Sequence, residues 1–154
     1  MTAILQRVAS ANVVISGECV GEIGRGFLVL LGVAREDTAK DAEMLADKIT
    51  KLRVFSDADG KMNLSVTDVS GGILVVPNFT LLASCRKGNR PDFFGSAPPD
   101  TAKPLFETFC SLIEERISTV GRGVFGADMK VSLVNDGPVT IILDTDDLKR
   151  SRRS

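Results

Sequence analysis

Phe27-Leu-Val-Leu-Leu31 is apolar at every position and flanked by Gly26 and Gly32. A short run of this kind is expected of a strand covered on both faces. Working outward from it, Ile4 to Val8, Asn12 to Ser16 and Cys19 to Ile23 are further β-rich runs, separated by glycine or small polar residues. Leu52 to Phe55, Ile73 to Val76, Met129 to Val134 and Val139 to Leu143 continue the pattern, with Asp57-Ala-Asp-Gly60 as a turn. Two segments instead carry helical spacing. Between Thr38 and Leu52, residues Ala42, Leu45, Ala46, Ile49 and Leu52 form one apolar stripe, with Thr38 and Asp41 spaced as a capping box. Between Asp100 and Ile117, residues Ala102, Leu105, Phe106, Phe109, Leu112, Ile113 and Ile117 form another, with Pro104 expected in the first turn. Strands cluster at both ends of the chain rather than alternating with helices. The reading is a single α+β domain, with a mixed or antiparallel β-sheet or barrel-like core and two amphipathic helices.

Composition narrows the chemistry. The 154 residues are 44% hydrophobic and 25% charged, with no histidine, tryptophan or tyrosine. No Ser-His-Asp or Cys-His arrangement is therefore possible. Cys19, Cys85 and Cys110 are widely spaced and odd in number, which suits a reducing compartment and gives no metal-binding CxxC pair. No metal or cofactor is expected. The net charge of −1 means that any nucleic-acid contact must be a local patch. No apolar run reaches the roughly 18 residues of a membrane span, and Met1 to Arg7 lacks the order of a signal peptide. A cytoplasmic protein without membrane contact is the expectation.

Four stretches could carry function. Gly21-Glu-Ile-Gly-Arg-Gly26 has the wrong glycine order for a dinucleotide loop and leads into a strand, so it reads as a hairpin turn. Val76-Pro-Asn-Phe-Thr-Leu-Leu82 places a hydroxyl and a carboxamide at a strand end. Backbone N–H groups there could form an oxyanion hole, against the plainer reading of Phe79 as core and Thr80 as a strand residue. Val134-Asn-Asp-Gly-Pro-Val-Thr140 reads as a turn into the last strand. Were its Gly137-Pro138 bond cis, the carbonyls would be fixed in an orientation suited to gripping an ammonium group. Arg86-Lys-Gly-Asn-Arg90 and the tail Lys149-Arg-Ser-Arg-Arg153 are basic clusters, either solvated surface or phosphate contacts. The loop, being close in sequence to Thr80, is the better candidate.

Several motifs in one order carry a resemblance. Leu5-Gln-Arg-Val8, Gly26-Phe-Leu-Val-Leu-Leu-Gly32, Gly60-Lys-Met-Asn-Leu64, Phe79-Thr-Leu81, Arg86-Lys-Gly88, Phe125-Gly-Ala-Asp-Met129 and Val131-Ser-Leu-Val-Asn-Asp-Gly-Pro-Val-Thr140 resemble the D-aminoacyl-tRNA deacylase family, the D-Tyr-tRNA deacylase type. The likeness extends to about Asp144. It implies a homodimer that hydrolyses the ester between a D-amino acid, or glycine, and the tRNA 3′ end. It implies that a cis Gly137-Pro138 reaches into the partner subunit's site and selects handedness, supported by Arg7. Asn78, Phe79 and Thr80 would be catalytic. Pro77, Phe125, Met129, Gly137 and Pro138 would bind substrate, Phe125 and Met129 at the terminal adenosine. Arg86, Lys87 and Arg90 are candidate phosphate contacts. In the Ser-Gln-Phe-Thr-Leu signature of the family, Pro77 and Asn78 here replace Ser and Gln. The domain is expected to span 1–145, with 146–154 a flexible basic tail. Two rivals stand beside this reading: a deacylase of relaxed chirality acting on L-alanyl-tRNA, and a non-catalytic module that binds tRNA ends.

Overall fold

The computed structural model describes residues 1–150. Its strands are β1 (Thr2–Ile15), β2 (Glu18–Ile23), β3 (Gly26–Gly32), β4 (Phe55–Ser56), β5 (Met62–Leu64), β6 (Gly72–Pro77), β7 (Val120–Arg122) and β8 (Lys130–Asp144). Three helices join them: α1 (Ala39–Lys51), α2 (Pro99–Arg116) and α3 (Thr145–Lys149). A single 3-10 turn, Phe79–Leu82, follows β6. The main sheet runs β2-β1-β3-β6-β7, and β8 pairs with β1. β3, β6 and β7 are mutually parallel; β1 is antiparallel to β2, β3 and β8. β7 returns beside β2 at Gly121 and Gly21, so the curled sheet nearly closes on itself. This is the mixed, barrel-like α+β domain expected from the sequence.

The all-apolar run explains the layering. Phe27, Val29 and Leu31 of β3 share a core with Ile73 and Val75 of β6, Leu45 and Ile49 of α1, and Phe106, Phe109 and Ile113 of α2. Leu28 points the other way, into a second core with Val8, Val13, Leu74 and Val76 inside the curl of the sheet. Alternate residues of one strand thus serve opposite cores, which is why polar positions are missing from it. Cys110 lies in the first core, where burial pushes its thiol up to about 12 and removes it from thiolate chemistry.

Several boundaries differ from expectation. Ile4–Val8 and Asn12–Ser16 are one strand, β1, and Met129–Val134 and Val139–Leu143 belong to one strand, β8. The Gly24-Arg25 link is not a hairpin, because β2 and β3 both pair with β1 instead of with each other. Pro104 sits in the second turn of α2, beyond the first turn expected for it. There its missing N–H leaves the Asp100 carbonyl without the usual intrahelical donor. β5 and β7, three residues each, gave no periodic signal. The segment read as the start of a tail includes α3, and Thr145 at its first position is buried. Residues 151–154 of that expected tail lie outside the described residues. Among the described residues, no helix is long and apolar enough to cross a membrane.

α3 is held by α1. Asp41 Oδ2 accepts from the Thr38 N–H at 2.8 Å, and Lys149 Nζ stands 2.6 Å from Asp41 Oδ1. Burial alone would raise the Asp41 pKa. The contacts with Lys149, Thr38 and Thr145 outweigh it and hold the carboxyl far below its ordinary 3.8. A carboxylate depressed in the folded state stabilises fully above its unfolded pKa and loses that contribution as pH falls. Stability should therefore decline as pH drops below about 4, and more steeply in the wild type than in Asp41→Asn. Urea unfolding at pH 6 and pH 3 measures the difference; equal declines would remove Asp41 as the cause.

Candidate active site

β6 ends at Pro77, which has no N–H, and the chain turns at once into the 3-10 segment. The Asn78 N–H is used, donating to the Leu31 carbonyl at 2.8 Å. The N–H groups of Phe79 and Thr80, first in a one-turn segment, have no backbone acceptor outside it, and a 3-10 turn offers none within it. Among the described residues two adjacent main-chain donors are thus left unpaired, the first on Phe79, which lines a cleft, and the second on Thr80, one residue beyond that lining.

That cleft has two lobes that meet at Pro77, Phe79 and Gly126. One, of about 380 Å³, is walled by Phe93, Pro98, Pro99 and Phe125. The other, of about 330 Å³, is walled by Leu30, Asn78, Met129 and Val131. Phe79 is 54% exposed and is not core; it stands between the lobes, edge-on to Phe93 at 5.1 Å. Pro77, Asn78, Phe79, Phe125 and Met129, singled out from sequence, are brought together here. The wall residues Phe93, Pro98 and Pro99 were missed, though the doubled Phe93-Phe94 and Pro98-Pro99 in a polar stretch were the available signal.

Thr80 Oγ1 donates to Asn78 Oδ1. A neutral carboxamide oxygen cannot take a proton from a hydroxyl, so this partner does not activate Thr80 as a nucleophile. The Asn78 amide N–H₂ has no acceptor among the described residues.

Gly137 and Pro138 line neither lobe of their own chain. They lie in an excursion of β8: Gln6 pairs with Thr140 and Val8 with Asn135, so Arg7 alone faces residues 136–139. The sequence read a turn between strands; the structure has a bulge inside one. The Gly137-Pro138 bond is cis. Arg7, its side chain 11% exposed, donates from Nε to the Asp136 carbonyl at 3.0 Å and from Nη1 to the Val54 carbonyl at 2.7 Å. Asn135 Nδ2 ties the base of the excursion to the carbonyls of Val139, at 3.1 Å, and Arg7, at 3.4 Å. Arg7 was expected as its support. Asn135 was not, because an asparagine before Asp-Gly-Pro reads as a turn residue.

Ser84 and Asp92 pair through both backbone N–H groups, at 2.7 and 2.8 Å, and close a basic loop. Arg86 and Lys87 line a shallow hollow there; Arg90 is exposed outside it. None of the three has an acidic partner among the described residues.

Comparison with known proteins places this geometry. A family model described as D-Tyr-tRNA(Tyr) deacylase matches residues 4–144. A D-aminoacyl-tRNA deacylase of Anaeromyxobacter dehalogenans is 57% identical over 145 residues, 94% of this chain and 97% of that protein. One from Chloroflexus aurantiacus is 52% identical over 154 residues, 100% of this chain and 96% of its own. A solved structure of a c-Myc DNA Unwinding Element Binding Protein superposes with a TM-score of 0.88 at 44% identity, covering 94% and 98% of the two chains. Another, "Structural Analysis of a probable eukaryotic D-amino acid tRNA deacylase", has a TM-score of 0.80 at 17% identity over 93% and 99%, which shows a shared fold. The chain belongs to the D-Tyr-tRNA(Tyr) deacylase family.

Proposed function

We propose that the chain hydrolyses the ester joining a D-amino acid, or glycine, to the 3′ end of tRNA, and that it works as a homodimer. The observation that carries this reading is the pair of N–H groups at Phe79 and Thr80, unpaired among the described residues, with Phe79 lining a cleft that holds no nucleophile–base pair. An aminoacyl ester is already activated. Water adds to its carbonyl, the oxyanion is held by the two peptide donors, and the terminal ribose oxygen leaves with a proton. The neighbouring 2′-hydroxyl of the tRNA helps to activate the water. One such donor is worth about 10²–10³ in rate, so positioning and dipoles suffice. Phe125 and Met129 hold the terminal adenosine, and Pro77 and Asn78 border the ester. Arg86, Lys87 and Arg90 take tRNA phosphates.

Chirality is read by the carbonyls of Gly137 and Pro138 of the partner subunit, which grip the α-ammonium group and leave no room for an L side chain. One feature supports a partner in that place. Ile142, 71% exposed, pairs across β8 and β1 with Ile4, which pairs in turn with Leu30 on β3. This apolar row runs on from Leu30 to its β6 partner Val76, both walls of the second lobe, so a copy seated on its exposed end approaches the cleft.

Thr80→Ala tests the mechanism on D-tyrosyl-tRNA. With the peptide donors intact, single-turnover hydrolysis should fall by less than about tenfold, the worth of one side-chain hydrogen bond. A fall of about 10⁴-fold or more would make Thr80 the nucleophile. Salt-sensitive tRNA binding with no hydrolysis by the wild type would favour the non-catalytic module instead.

A further inference from the structure

Phe94, next in sequence to the cleft residue Phe93, is a large apolar ring left 73% exposed. A lone exposed phenylalanine is ordinarily unremarked. This one is held. A β-turn, closed by the Ser96 N–H on the Phe93 carbonyl at 3.0 Å, puts Phe94 at its tip. The Phe94 N–H donates to Asp92 Oδ1 at 2.7 Å, and its carbonyl accepts from Arg35 Nε. The Arg35 N–H reaches the next carbonyl, Gly95, at 3.3 Å. The Arg35 guanidinium then lies over one face of the Phe94 ring, 4.4 Å from its centroid, and has no acidic partner among the described residues. One ring face is backed by a cation and the backbone is fixed, while the other face is open to solvent.

The surroundings favour an anionic, stacked occupant. The loop carrying Arg86, Lys87 and Arg90 closes at Asp92, two residues before Phe94. Asp92 spends one carboxylate oxygen on the Phe94 N–H. Arg35 thus backs the aromatic face, the loop carrying three further cations closes two residues before it, and none of the four has an ion-pair partner among the described residues. The adjoining Phe93 walls the cleft. Single-stranded nucleic acid is bound by this combination of stacking platform and backbone cations.

We infer that Phe94, backed by Arg35, is a stacking platform for the nucleobase immediately preceding the terminal adenosine of the tRNA. The inference rests on the proposed tRNA-end reading and adds to it a second base-binding position. It also gives the chain a grip on the single-stranded end that is indifferent to the amino acid, since the ring lies outside the lobe that borders the ester.

The test compares adenosine 5′-monophosphate with the dinucleotide CpA on the full chain. Wild type should bind CpA more tightly than Phe94→Ala does, by roughly 5- to 150-fold, the range for one base–aromatic stack. Both proteins should bind the mononucleotide equally. Phe94→Tyr should retain the CpA affinity and Phe94→Leu should lose it, since an aliphatic side chain offers no stacking face. In hydrolysis of D-aminoacyl-tRNA, Phe94→Ala should raise KM and leave kcat unchanged. The chain has no tryptophan, so Phe94→Trp adds a single reporter whose fluorescence CpA should quench and the mononucleotide should not. Equal CpA affinity in wild type and Phe94→Ala, with mononucleotide binding and hydrolysis intact, would overturn this inference alone. Absence of both mononucleotide binding and hydrolysis in the wild type would overturn the tRNA-end reading, and this inference with it.

Discussion

Alanine at Gly137 is expected to lower D-aminoacyl ester hydrolysis by about 100-fold or more while the protein stays folded. Gly137 has φ +132°, a conformation that L side chains rarely adopt. A Cβ there would stand 2.8 Å from Val139 Cγ2, 3.0 Å from the Val139 nitrogen and 3.1 Å from Arg7 Nη2. The first and third can yield only by moving the side chains that shape and hold the excursion. The second is main chain, so the loop itself must shift. The strain is about 1–3 kcal/mol, borne by an exposed segment and not by either core. Its functional effect is larger, because a clamp misplaced by about 1 Å forfeits about 100-fold in rate. Single-turnover hydrolysis of D-tyrosyl-tRNA, with urea unfolding in parallel, separates the two effects. A folded variant of undiminished rate would show that the excursion does not shape the site.

The second large effect falls on the fold. Gly26→Ala should destabilise the chain by about 4 kcal/mol or more, a large part of the roughly 5–15 kcal/mol that holds a domain together. Gly26 pairs with Gly72 where β3 meets β6, and the Gly72 N–H is bonded to the Arg25 carbonyl at 2.9 Å. A Cβ at residue 26 would lie 1.8 Å from the Gly72 carbonyl oxygen, inside any permissible contact. Backbone meets backbone, so no rotamer change relieves the clash. The strands must part at the foot of the run Phe27–Leu31, on which both cores depend. A urea midpoint close to that of the wild type would refute this.

What the sequence conveys follows from physical pattern. The two-sided burial of Phe27–Leu31 and the stripes of α1 and α2 were legible because a single periodicity covers each of them. β1 and β8 looked like four short strands because their interruptions are bulges. Ala9 and Ser10 break the apolar run at a change of register with β8. Asn135 to Pro138 use turn-forming residues to leave a strand and rejoin it. Local chemistry cannot distinguish a turn that ends a strand from an excursion within one, since the difference lies in the partner strand. At the site, Pro77 marked the end of β6, and the main-chain donors after it could be anticipated. The hydrogen bond between Thr80 and Asn78 could not, because it depends on a 3-10 turn that four residues do not announce. The bonds of Arg7 to the Val54 carbonyl and of Asn135 to the Arg7 carbonyl likewise join residues more than 40 apart in the chain.

The proposed function needs a main-chain clamp that reads handedness and peptide dipoles that cleave the ester. The most direct measurement is the single-turnover hydrolysis of D-aminoacyl-, glycyl- and L-alanyl-tRNA by the wild-type protein under one set of conditions. The prediction is rapid release from the D and glycyl esters and none above background from the L-alanyl ester. Comparable release from L-alanyl-tRNA would contradict it, because a clamp that leaves no room for an L side chain cannot pass one.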